Sequence, residues 1–88
     1  MTVRAILHVF VEPGKIEAVG EALARIPEAI DVYEVTGEYD LIATAKTNDL
    51  HRLRSLISER LMKMHGMKAV TTSVLLHTYK INGKEVFE

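Results

Sequence analysis

The stretch Val32-Tyr33-Glu34-Val35-Thr36-Gly37-Glu38-Tyr39-Asp40-Leu41-Ile42 decides how this chain folds. Two apolar, β-prone runs flank a short turn. Gly adopts φ > 0 without steric cost, and Gly at the first position of a two-residue hairpin loop is a type II′ signature. The reading is an antiparallel hairpin of residues 29–36 and 39–46, turning on Gly37-Glu38. Such a turn leaves backbone N–H groups near the Asp40 carboxylate. Together they can hold both ends of a small zwitterion.

Upstream, Val3–Val11 reads as a strand. Val3, Ala5, Leu7 and Val9 alternate with Ile6, His8 and Phe10, and both sets are largely apolar. A sheet with helices on one side normally shows a polar outer face, so here something must cover the second face. Glu12-Pro13-Gly14 is a turn. Residues 15–25 then form a helix whose stripe is Ile16, Val19, Gly20, Leu23 and Ile26. Pro27 ends it by disfavouring helical backbone at Ile26.

Downstream, Thr47-Asn48-Asp49 supplies capping side chains for a helix over residues 49–64. Leu50, Leu53, Leu56, Ile57, Leu61 and Met64 are its inward positions. His65-Gly66 stops it. Residues 67–79 read as a long fourth strand, with Ala69, Thr71, Ser73, Leu75 and His77 on one face and Val70, Thr72, Val74 and Leu76 on the other. Asn82-Gly83 predicts a short terminal hairpin, placed against a partner chain.

The order β-α-β-β-α-β with right-handed crossovers gives an α+β, ferredoxin-like sandwich with a four-stranded antiparallel sheet. We expect one domain over residues 1–88, with a core of about residues 3–80 and a hairpin tail at 80–88. Two helices cover one sheet face. The other is apolar, and an exposed face of that kind marks an interface. The expectation is a homodimer of the dimeric α+β barrel type.

At 88 residues the chain is small, and a domain of this size buries only roughly 60–65% of its unfolded surface, so it gains from oligomerising. There is no Cys, which removes disulfides and thiolate metal sites and suits a cytoplasmic protein. The run 5–11 is too short to span a bilayer, and no signal peptide is readable. Eleven basic and twelve acidic residues give a net charge of −1, which argues against a nucleic-acid surface. Arg52, Arg54, Arg60 and Lys63 cluster on one helix and read as a solvated face. The four histidines show no metal-ligand spacing on one element, and no cofactor box is visible around Met62, Met64 and Met67.

The hairpin from Val32 to Ile42 resembles the hallmark hairpin of the effector domain of the leucine-responsive regulator/AsnC family. Residues Met64-His65-Gly66-Met67-Lys68-Ala69-Val70-Thr71-Thr72-Ser73-Val74-Leu75 resemble that family's "hydrophobic-x-Gly-Val-x-x-Thr-x-Thr" segment, with Met67 in the place of its Val. The resemblance covers residues 3–80. Full-length members begin with a helix-turn-helix DNA-binding domain, and this chain looks like a stand-alone effector domain. The resemblance implies a sheet-mediated dimer, commonly built up to an octamer, with amino-acid effectors bound between dimers near the hairpin. It also implies co-assembly with full-length relatives, no catalysis and no direct DNA binding.

The candidate site residues are Gly37, Glu38, Tyr39, Asp40, Thr71, Thr72 and Ser73, and each has an ordinary alternative. The Gly37 and Glu38 N–H groups receive a ligand carboxylate, or belong to a plain hairpin turn. Asp40 pairs with a ligand ammonium, or fixes the turn by accepting backbone N–H bonds. Tyr39 walls the pocket, or packs in an interface. The hydroxyls of Thr71, Thr72 and Ser73 bond the ligand, or bond cross-strand neighbours. His8 reads as a core or interface histidine. Two other functions share this fold. A cofactor-independent monooxygenase would call for a more aromatic, Trp- or His-lined cavity than 6% aromatics and no Trp provide. An amino-acid-binding regulatory domain of a metabolic enzyme would use a loop glycine after the first strand, where Gly14 stands.

Overall fold

The computed structural model describes residues 2–87. Strand β1 (Val3–Val11) is followed by helix α1 (Ile16–Ala24), strands β2 (Ala29–Glu34) and β3 (Leu41–Thr47), helix α2 (Leu50–Ser55), strand β4 (Met67–Val74) and a terminal hairpin, β5 (Lys80–Ile81) and β6 (Lys84–Glu85). The four long strands form one antiparallel sheet in the order β2-β3-β1-β4, the ferredoxin-like arrangement expected.

Strand alternation divides the sheet as the sequence pattern demands. Ala5, Leu7 and Val9 of β1 and Leu41, Ala43 and Ala45 of β3 point toward the helices and are buried. They meet Val19 and Leu23 from α1, Ile26 just after it, and Leu56 and Leu61 from beyond α2. Each of the buried Val, Leu and Ile side chains contributes about 1.5–3 kcal/mol. Directly opposed residues of an antiparallel pair share a face, so Ile6, His8 and Phe10 lie outward with Ile42, Thr44, Ala69, Thr71 and Ser73. Ile6, Phe10 and Ile42 are only half-buried there.

Several local expectations are corrected. The second helix is not one α-helix over 49–64. Asp49 caps α2 as expected, its Oδ1 accepting the Arg52 N–H at 2.8 Å, but after Ser55 the chain enters a π-helical turn, Leu56–Arg60, and then a 3-10 turn, Leu61–Lys63. The Leu61 N–H reaches back to the Leu56 carbonyl. That wider turn brings Leu61, five residues after Leu56, back to the core and sends Arg60 to Glu28 (2.8 Å). Leu50 is 60% exposed rather than inward.

The fourth strand stops at Val74, short of residue 79. The Leu75 N–H still donates to the Arg4 carbonyl (2.8 Å), and among the described residues the β1–β4 pairing goes no further. Residues 76–87 leave the sheet as an arm carrying Leu76, Tyr79, Ile81 and Phe87 exposed. Its hairpin turns on Asn82 (φ 50°) and Gly83 (φ 79°), the left-handed pair of a type I′ turn. Gly66 has φ 93°, and its carbonyl accepts the Glu12 N–H at 2.8 Å. The turn after β1 is thereby laid over the start of β4.

Candidate functional site

The hairpin between β2 and β3 is wider than a two-residue loop. The Val35 N–H donates to the Asp40 carbonyl at 3.1 Å, closing a four-residue loop, 36–39. The β2–β3 ladder itself ends at Glu34 and Leu41. Asp40 bonds on both sides, its carbonyl toward Val35 and its other polar groups toward β1. Its N–H donates to the Val9 carbonyl (3.0 Å), and its Oδ2 accepts the Val11 N–H (2.9 Å). Gly37 takes φ 109°, with open space on its Cβ side. The Gly37 and Glu38 N–H groups have no hydrogen-bond partner among the described residues. Both residues are exposed.

Tyr39 folds onto the outer sheet face. Its ring lies 4.6 Å from the His8 ring, tilted by 40°, and 5.1 Å from Phe10 in an edge-on arrangement. Such pairs contribute about 0.5–1.5 kcal/mol beyond their buried area. The loop is therefore held at both of its last residues, by side-chain stacking at Tyr39 and by backbone hydrogen bonds at Asp40.

Of the strand residues, Thr71 and Ser73 share the outer face with Tyr39 and His8. Thr71 is opposite His8, and Ser73 Oγ lies 3.5 Å from His8 Nε2. Thr72 is opposite Leu7, on the helix side. The structure thus gathers Tyr39, Thr71 and Ser73 around His8 on the outer face, holds Asp40 at the Val9–Val11 end of β1, and turns Thr72 to the other face. Sequence reading left out His8 as a member of this group. Alternation had already placed it beside Phe10 on the outer face, but only the loop's curl shows that Tyr39 lands on it.

A cavity of about 600 Å³ lies elsewhere. It opens between Glu28, Lys46, Asn48, Arg52 and Arg60, by Thr47, which pairs with Val3 at the far end of β1 from the hairpin. A second, of about 400 Å³, is on the outer face between Arg4, Ile6, Ile30 and Leu75. Gly37–Asp40 line neither, and with Gly37 and Glu38 exposed the hairpin presents a ledge. Among the described residues no group of three or more His, Asp or Glu is placed to hold a metal, and no helix is long and apolar enough to cross a membrane.

The chain is thus a ferredoxin-like sandwich with an anchored, solvent-facing hairpin between β2 and β3. A model of the Lrp/AsnC ligand binding domain matches residues 4–85, and the chain belongs to that family. It is 35% identical over 83 residues to an HTH-type transcriptional regulator of Pyrococcus horikoshii, PH0140, covering 94% of this chain and 52% of the relative. The chain spans about half the length of the curated relatives it matches. The crystal structure of FFRP-DM1 superposes with a TM-score of 0.81 at 34% identity, over 84% of this chain and 99% of that one. The Neisseria meningitidis transcriptional regulator NMB0573, solved as an L-Met complex, superposes with a TM-score of 0.83 over 93% of this chain and 55% of its own. At 21% identity that likeness is one of fold. Family membership favours the regulator reading over the monooxygenase and the enzyme-attached domain.

Proposed function

We propose that this chain is the effector-sensing, self-associating part of an Lrp/AsnC-type regulator and that its effector is an α-amino acid. The observation that carries this is the division of labour at Asp40. Oδ2 is spent on the Val11 N–H, while Oδ1 makes no hydrogen bond among the described residues. One oxygen fixes the loop and the other is left for a ligand ammonium. The unpaired Gly37 and Glu38 N–H groups nearby suit its carboxylate. Thr71 and Ser73 supply hydroxyls on the same face, and Tyr39 forms a wall. Thr72, turned to the other side, supports that side of the strand.

The hairpin's form as a ledge supports a site completed by a second subunit. The half-buried Ile6, Phe10 and Ile42 and the exposed arm residues Leu76, Tyr79 and Phe87 support pairing of the outer face with a second copy. Further assembly to octamers, and co-assembly with full-length relatives in the cytoplasm, extend the same reading. The L-methionine in the Neisseria relative makes that amino acid the first to try.

The test is a thermal-shift screen of the twenty amino acids. Ligand at 100 Kd adds about 2.7 kcal/mol, which for a domain of this size raises Tm by roughly 10–20 °C. A screen in which no amino acid moves Tm refutes the effector reading.

A further inference from the structure

The cations that cluster in sequence after residue 51 do not share one environment. Arg52 and Arg60 line the cavity of about 600 Å³ together with Lys46, whereas Arg54 and Lys63 do not. Small-molecule sites run to roughly 300–1,000 Å³, so this one has room for a metabolite. The three cations come from three elements: Lys46 from β3, Arg52 from α2 and Arg60 from the π turn. Single π turns are frequent at functional sites, and here the turn carries a guanidinium that is pinned. Arg60 Nη1 lies 2.8 Å from Glu28 Oε2, while Glu28 Oε1 is buried with no partner among the described residues. Drawing Arg60 away would strand that carboxylate, which holds the guanidinium where it is. Its other N–H donors make no hydrogen bond among the described residues and stay available. The cavity also carries three carboxylates, Glu28, Asp49 and Glu59. Glu28 is engaged by Arg60, and Asp49 Oδ1 by the Arg52 N–H. The side chains of Lys46 and Arg52 have no ion-pair or hydrogen-bond partner among the described residues. What remains unengaged is therefore two whole cations and part of a third, against Glu59.

We propose that this cavity is a second ligand site and that it takes a small multivalent anion, a phosphate ester or a polycarboxylate. Arg52 and the pinned Arg60 offer planar forks that match paired anionic oxygens, and Lys46 adds a compact charge from the sheet. The cavity lies at the Val3–Thr47 end of the β1–β3 pair, and the hairpin lies beyond its Val9–Leu41 end. The proposal therefore stands whether or not the hairpin binds an amino acid.

The test is an NMR titration of the whole chain with ribose 5-phosphate and, separately, with citrate, read from backbone amide shifts against potassium chloride at matched ionic strength. At least one probe should move the amides of Lys46, Arg52 and Arg60 and leave those of Gly37–Asp40 in place. A response to ribose 5-phosphate alone assigns a phosphate ester, and a response to citrate alone a polycarboxylate. Lys46→Gln and Arg52→Gln should each raise Kd about tenfold, the loss of one hydrogen bond to a charged group. Both side chains are exposed, so either variant should fold, and the same spectra report it. Arg54→Gln removes a cation of α2 that does not line the cavity and should leave Kd within about twofold. No shift beyond the chloride reference with either probe overturns the proposal. So does an Arg54→Gln loss as large as that of Arg52→Gln, which would mark general attraction to a basic segment.

Discussion

Replacing Gly66 by alanine meets two separate obstacles, and their sizes follow from the structure. At φ 93° an L side chain is strained whatever surrounds it, at about 1–2 kcal/mol. The added Cβ would also lie 2.7 Å from Lys15 Cβ, 3.0 Å from Lys15 Cγ and 3.2 Å from Val19 Cγ2. Lys15 Cβ is anchored to backbone and cannot swing aside as the end of a side chain would, and Val19 is fully buried. Forced overpacking of this kind costs about 1–3 kcal/mol. The sum is about 2–5 kcal/mol, a large share of the roughly 4–13 kcal/mol available to 88 residues. Gly37→Ala is the internal control. It has the same positive φ but nothing within 4 Å of its Cβ position, so it should lose only about 1–2 kcal/mol. Urea unfolding followed by circular dichroism, at one protein concentration for all variants, measures both, and Gly66→Ala should lower Tm by roughly 10 °C or more. If Gly66→Ala proves no costlier than Gly37→Ala, the contact between the β1–α1 turn and the start of β4 is loose and the packing argument fails.

Two further substitutions separate site from scaffold. Asp40→Ala strands the Val11 N–H and removes a charge-assisted bond, costing about 1.5–3 kcal/mol; the chain should still fold, and its thermal response to amino acids should vanish. A full response in the folded variant would remove Asp40 from the site. Asp49→Ala, which deletes the cap on the Arg52 N–H, should cost about 0.5–2 kcal/mol and leave the amino-acid response unchanged; loss of that response would tie α2 to the site.

How far the sequence could be read depended on whether local chemistry or long-range register decided each element. Strand β1 was legible to the residue because its alternation and its Glu12-Pro13-Gly14 stop are both local. The stripe of α1 and the Asn82-Gly83 turn were legible for the same reason. The π turn was not, because Leu53, Leu56, Leu61 and Met64 fit a helical stripe well enough to hide one extra residue per turn. The end of β4 was misplaced because residues 75–79 remain strand-like in composition, and only the long-range pairing with β1 shows where the strand leaves the sheet. At the site, the position of the hairpin was legible from the motif. Its width was not, since Asp40 is also fixed by a contact 29 residues away in sequence, the Val11 N–H on β1. Alternation alone separated Thr72 from Thr71 and Ser73, and treating the three as a group overrode it.

The bulge in β2 bears on how that edge of the sheet meets other chains. Between Ala29 and Asp31 the register slips and Ile30 is left out of the ladder. Thr44 Oγ1 accepts the Asp31 N–H (3.1 Å) and donates to Asp31 Oδ2 (2.8 Å), fixing the irregularity in place. β2 is an outer strand of the sheet, and a straight apolar edge is a template for runaway strand addition and fibril growth. The kink interrupts that template, and the carboxylates of Asp31 and Glu34 along the same strand repel an incoming copy. The chain thus combines a half-buried apolar sheet face with a β2 edge whose kink and carboxylates disfavour strand addition.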